Sequence, residues 1–378
     1  MYLKSALAAV LAVAFAVPSM AQDTIKIPGV LELSGAGAIS GTNFRDGALL
    51  AIEDVNAAGG ILGKKLVLET VDTASDPGKA RAAVQRALDD KPVVIFGPVF
   101  SGSVNATLPM TNEAQVPQII GGEAANITSQ GSKYIFRTSF GQNVSMPKIA
   151  NYLRDGAKAK TLAIVYVNND FGKGGRNAIM KELESRGIKV VADLSVEAGQ
   201  ADFAADVVKV KSANADAVFV YLNEEESARF LIEAKKQGLD KPLIGETTLL
   251  GQKVIDLAKD AANGVKGHVG LTIDAPVPAV ADYAKRFEAK YKYKSDHNGM
   301  KGYFAVIMLK AAAEKVGKFD PVAIAAALHG MTISPDKQPG IMIEASWDDT
   351  GEIDRVSYLA EVKDGKQIIT STLPKLKP

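Results

Sequence analysis

Asp54-Val55-Asn56-Ala57-Ala58-Gly59-Gly60-Ile61-Leu62-Gly63 is the stretch on which the reading of the fold turns. It closes a segment, roughly Thr42 to Ala58, in which Phe44, Ala48, Ala51, Ile52 and Val55 recur at helical spacing. The glycine pair then stops the helix, and Leu66 to Val71 follows as a strand. Upstream, Asp23 to Leu31 reads as a strand running into the Gly- and Ser-rich loop Ser34 to Gly41. Strand, loop, helix and strand together make the unit of a parallel sheet.

The same alternation continues outward. Lys79 to Leu88 reads as a helix and Val93 to Phe96 as a short apolar strand buried on both faces. Strands follow at 118–120 and 135–136. A second series begins with a strand at 161–167. It continues with helices at 173–186, 203–212 and 227–237 and strands at 190–194, 217–222 and 243–245. One series ends near residue 140 and the other begins there, so the expected fold class is α/β with two doubly wound parallel-sheet lobes. Ligands of such sheets sit beyond the carboxyl ends of the strands, so contacts are sought in the loops that follow strands. After residue 270 the chain turns to helices near 279–291, 302–316 and 321–329.

The chain has 378 residues, with 44 basic against 43 acidic side chains. No charge excess recruits nucleic acid or an anionic membrane. With no cysteine there are no disulfides, thiolate metal sites or cysteine nucleophiles. His268, His297 and His329 lack metal-ligand spacing, so neither a metal nor another cofactor is expected. At the amino terminus, Lys4 precedes the apolar run Ser5 to Val17, Pro18 breaks it, and Ser19-Met20-Ala21 offers small residues at −3 and −1. This is a secretory signal peptide by pattern, 1–21, cleaved before Gln22. It is too short to span a bilayer, and the expected location is the periplasm.

Further markers stand in order: Leu33-Ser34-Gly35, Asp76-Pro77, Phe96-Gly97-Pro98 with Ser101-Gly102-Ser103, Asn169-Asp170-Phe171-Gly172 and Asp202-Phe203. Together with the Asn-x-x-Gly-Gly-Ile-Leu-Gly segment they resemble the periplasmic binding proteins for branched-chain amino acids. These are the type I solute-binding proteins of ATP-driven importers. The resemblance implies two lobes joined by three crossovers: 22–140 plus 270–345, and 141–269 plus 346–378. It also implies an inner-membrane ABC permease as partner, a small-molecule ligand in the cleft, and a monomer.

Site candidates follow from both readings. Ser101 and Ser103 bring hydroxyls and helix N-terminal amides to an anion site, or cap the following helix; in the family this loop holds the ligand α-carboxylate. The family's second contact falls at Gly121 to Ala125, where Glu123 replaces an expected hydroxyl. A carboxylate there repels a ligand carboxylate unless protonated or paired; otherwise it caps a helix or faces solvent. Phe171 is a ligand wall by resemblance, or core. Asn223 and Glu224, and Glu246 or Thr247, stand where relatives hold the ligand ammonium, while Glu225 and Glu226 suit a solvated helix N-terminus. Phe100, Ser40 and Tyr303 are candidates for the side-chain pocket. Glu123, Glu224 and Glu246, if all face inward, favour a cationic or donor-rich ligand end. A neutral or aliphatic L-amino acid is the first expectation for the ligand. An amide, urea- or polyamine-like solute is the second and an aromatic or short organic acid the third.

An enzyme is not expected. No Gly-x-Ser-x-Gly elbow surrounds Ser101, no histidine serves it as base, and no phosphate-binding loop occurs. A sensor would need a cytoplasmic or membrane-fused setting. A DNA-binding regulator would need a helix-turn-helix where the signal peptide stands.

Overall fold

The structure, a computed structural model, describes residues 24–376. The signal peptide expected at 1–21 lies outside them. The first lobe begins β1 (Thr24–Leu31), α1 (Ala38–Ala57), β2 (Lys65–Asp72), α2 (Pro77–Asp89) and β3 (Ile95–Phe96). It continues with α3 (Ser101–Glu113), β4 (Gln118–Ile120), α4 (Asn126–Ser129) and β5 (Ile135–Arg137). These strands form one parallel sheet in the order β2-β1-β3-β4-β5. The opening segment now has its physical reason. Gly59 and Gly60 end α1 at positive φ, 101° and 81°, and a Cβ on Gly60 would stand 2.0 Å from the Lys64 carbonyl oxygen. Ile61 and Lys64 exchange backbone hydrogen bonds across Leu62-Gly63. The Asn56 amide holds both the N–H and the C=O of Leu66 at the head of β2.

The second lobe runs α5 (Gln142–Asp155), β6 (Thr161–Val167), α6 (Asp170–Glu184), β7 (Lys189–Val196), α7 (Ala204–Ala213) and β8 (Ala217–Tyr221). Then come α8 (Glu224–Lys236), β9 (Leu243–Gly245), α9 (Gln252–Ala258) and β10 (Lys266–Val269). The chain returns to the first lobe with α10 (Pro278–Tyr291), α11 (His297–Val316), α12 (Pro321–Leu328) and the small strands β11 (Thr332–Ile333), β12 (Ala345–Trp347) and β13 (Ile353–Asp354). It ends in β14 (Ser357–Lys363) and β15 (Lys366–Leu373), which join the second sheet antiparallel, in the order β15-β14-β10-β9-β8-β6-β7. This is the two-lobe type I fold. The boundary expected at 345/346 falls inside β12. Trp347 and Ile353 are buried in the first lobe's core, and we propose 355–356 as the third crossover. Among the described residues, no helix is long and apolar enough to cross a membrane.

The crossovers are tied together by one side chain. Arg355, fully buried, donates Nε–H to the Gly270 carbonyl (3.2 Å) and Nη1–H to the Thr138 carbonyl (3.4 Å), one in each of the other two crossovers. Its guanidinium lies 5.1 Å from the Phe140 ring centre.

In the first lobe, α1 and α11 pack backbone to backbone. A Cβ on Gly302 would stand 1.8 Å from the Phe44 carbonyl oxygen, and one on Gly47 1.8 Å from that of Gly299. Gly302→Ala must push the helices apart, and a loss of about 1–3 kcal/mol or more is expected in denaturant unfolding. An unchanged midpoint would show that the contact is not tight.

Candidate functional site

The parallel strands of each sheet reverse their order once, beside β1 and β3 in the first lobe and beside β6 and β8 in the second. The loops beyond these strands face one another across a cavity of 230 Å³. Ser40, Phe100, Ser101, Ser103, Gly121 and Glu123 line it from the first lobe, and Phe171, Asn223 and Glu224 from the second. The lobes are closed on each other. Glu224 Oε1 accepts from Ser40 Oγ (2.7 Å) and Asn298 Nδ2 (3.2 Å), and Asp170 accepts from Asn105 Nδ2 (2.7 Å).

The first-lobe wall is a set of donors. Ser101 Oγ accepts the N–H groups of Glu123 (3.2 Å) and Ala124 (3.1 Å), which leaves its own proton to donate. The loop before it is shaped by Glu32, a residue that sequence reasoning missed. Its buried carboxyl accepts the N–H groups of Val99 (3.0 Å) and Phe100 (3.2 Å), with the Ser103 hydroxyl beside it. Arg137 braces the other loop from behind, donating to the Ala124 carbonyl (2.7 Å) and pairing with Glu352 (2.9 Å).

Glu123 resolves the departure noted in the sequence. It neither faces solvent nor caps a helix: Lys301 Nζ pairs with its Oε1 at 2.7 Å, and the Ser139 hydroxyl donates to the same oxygen at 3.1 Å. Burial pushes the Glu123 carboxyl up, and the Lys301 charge opposes it. A paired Glu123 no longer repels a ligand carboxylate, and Lys301 itself lines the cavity.

The expectation of three acids facing inward is corrected. Glu224 does line the cavity; burial, then the charge of Asp296, holds its carboxyl up at about 7. Glu246 lies behind the wall, and Thr248 lines the cavity there instead. The Thr247 hydroxyl donates to Glu246 Oε1 (2.7 Å) and His268 Nδ1 is 3.2 Å from the same oxygen, while Oε2 is buried without a partner. Burial raises Glu246 to about 7 and lowers His268 to about 3. Glu225 is exposed and pairs with Arg229, and Glu226 is buried against the Gly199 N–H, so neither enters the cavity.

Phe171 stacks on Tyr221, ring centres 4.2 Å apart, and turns one face to the cavity. Tyr303 is a correction. Its hydroxyl donates to Asp54 Oδ2 (2.6 Å), which Arg286 also holds, within the first lobe and away from the cavity. Among the cavity residues without a sequence-based expectation, His297, Asn298 and Lys301 come from the first turns of α11. Among the described residues, no cluster of His, Asp and Glu is arranged to hold a metal ion.

Comparison with known proteins bears on the family and the fold. The pattern of a family described as periplasmic binding protein matches residues 24–367. The leucine-, isoleucine-, valine-, threonine- and alanine-binding protein of Pseudomonas aeruginosa is 32% identical over 87% of this chain and 88% of its own length. The branched-chain amino acid transporter substrate-binding protein of Streptococcus pneumoniae, solved with isoleucine, is 26% identical. It covers 94% of this chain and 100% of that one, with a TM-score of 0.82. A solute-binding protein of Rhodopseudomonas palustris, solved with 3,4-dihydroxybenzoic acid, shares the fold at a TM-score of 0.85 and 24% identity, over 94% of this chain and 99% of that one. The chain therefore belongs to the periplasmic binding protein family, as the substrate-binding protein of an ABC transporter and not an enzyme.

Proposed function

We propose that this protein, exported by its amino-terminal signal, closes over a neutral L-amino acid and hands it to an inner-membrane permease. The observation that carries the reading is the complementarity of the two walls. Ser101, the N-terminus of α3 and Lys301 gather donors for a carboxylate, and across the cavity stands Glu224, with the unpartnered Glu246 oxygen behind it. Phe100, Phe171, Val99 and Ala198 leave an apolar middle. The amino acids bound by the relatives from Pseudomonas aeruginosa and Streptococcus pneumoniae support the same class. A second reading, an aromatic carboxylate, is favoured by one feature: Phe100 and Phe171 line the cavity from opposite lobes and suit a flat ring.

Calorimetry separates the two. Leucine, valine and threonine are expected to bind, and binding by benzoates alone would overturn the first reading. The pH dependence differs in sign as well. Burial holds the carboxyls of Glu224, in the cavity wall, and Glu246, behind it, up at about 7, and a ligand ammonium is expected to favour the ionised form of Glu224 directly and that of Glu246 only through the wall. Affinity for an amino acid is therefore expected to rise between pH 6 and 8, by at most about tenfold per unit for each coupled proton. Affinity for a benzoate is expected to fall over the same range. Glu246→Gln flattens either slope if that group is coupled to the ligand.

A further inference from the structure

Three side chains of α11 line the cavity, and two of them are already satisfied. Asn298 donates to Glu224, and Lys301 donates to Glu123. His297 is not: its ring is 3% exposed, it lines the cavity, and Nδ1 is buried without a partner. Burial and the nearby Lys301 charge keep the imidazole neutral. A neutral imidazole carries one N–H donor and one acceptor nitrogen. A buried polar group left without a partner carries an unrecovered desolvation cost, so an orphan on a side chain that lines a ligand cavity marks a place where the ligand can supply the partner. Its position says which end of the ligand that is. His297 and Lys301 are four residues apart on one helix face, about 6 Å along the axis. Lys301 stands at Gly121 and Glu123, where the carboxylate is placed, so His297 stands one turn away from it. On the second lobe it faces Gly251, where an added Cβ would lie 3.7 Å from the ring.

We propose that His297 is a specificity-determining residue that pairs with a hydroxyl or carboxamide on the ligand end remote from its carboxylate. The proposal rests on the carboxylate placement given above and narrows the ligand class: among neutral L-amino acids, those with hydroxyl or amide side chains are preferred over their aliphatic isosteres. A pocket built to hydrogen-bond one ligand group rejects the analogue that lacks it far more strongly than an apolar pocket rejects an added hydroxyl.

The test is a ratio of affinities within matched pairs, measured by calorimetry on the ligand-stripped protein. The pairs are threonine with valine, asparagine with leucine, and 4-hydroxybenzoate with benzoate. The wild-type protein is expected to bind the polar member at least tenfold more tightly in the class of ligand it accepts. His297→Phe is expected to bring that ratio to near one, and His297→Asn, which keeps a donor and an acceptor, to retain part of it. A purely structural histidine would change both members alike and leave the ratio unmoved, and that result would overturn the proposal. So would a wild-type preference for the apolar member of each pair. Should the amino acids fail to bind while the benzoates do, the amino-acid reading falls and the hydroxybenzoate ratio still decides the role of His297.

Discussion

Lys301→Met is expected to destabilise the folded protein by about 3–5 kcal/mol and to abolish high-affinity ligand binding. Lys301 and Glu123 are buried together at 2.7 Å, with side chains 3% and 8% exposed. Removing the cation strands a carboxylate already pushed upward by burial, with only the Ser139 hydroxyl left to it. The Lys301 charge also lowers Glu224, Glu246 and Asp296, so its loss raises every acid around the cavity at once. Denaturant unfolding reads the effect, and the double variant Lys301→Met, Glu123→Gln supplies the control. With no charge left unpaired, it is expected to recover most of the loss. A double variant as unstable as the single one would show that the cost comes from the lysine's packing and not from its charge.

The second large effect is expected from Ser101→Ala. Its oxygen accepts two backbone N–H groups at 3.1–3.2 Å, and its proton is the donor left for the ligand. A hydrogen bond to a charged group contributes about 1.5–3 kcal/mol, so affinity should fall roughly 10- to 100-fold. Stability should fall by only about 1–3 kcal/mol, for two amides deprived of an acceptor. Calorimetry showing unchanged affinity in a well-folded variant would remove Ser101 from the carboxylate site.

The elements that were legible in the sequence share one property: the signal is local. Gly59-Gly60 stops α1 through its own φ angles, and Asp76, ahead of Pro77, caps α2 by accepting the Lys79 N–H at 2.7 Å. Ser101, Phe171 and Glu224 each follow an apolar strand by a few residues, which is where a doubly wound sheet puts its crevice. What escaped depends on helix rotation and long-range pairing. Lys301 meets Glu123 across 178 residues of sequence. Tyr303 is two positions beyond Lys301, about 200° around the helix, and therefore reaches Asp54 on the opposite side. A signal was present: His297, Asn298 and Lys301 are polar at i, i+1 and i+4 on a helix whose first turns, to Leu309, are otherwise buried and largely apolar. Such a polar face on a buried helix needs a partner, and here the partner is the cavity. Glu246 misled for the converse reason, since its neighbour Thr248 carries the wall while the acid points back toward His268.

The guanidinium of Arg355 gives the two lobes a common axle. All three connecting segments touch this one side chain, two of them through carbonyl oxygens that accept over a broad range of directions. Rotation of the lobes about it is therefore expected to spare both bonds, whereas sliding one lobe past the other is expected to break them. Displacement in such a lever grows with distance from the pivot. On hinge opening, the links at Asn105–Asp170 and Ser40–Glu224 are expected to break, while the bonds at the axle are expected to persist.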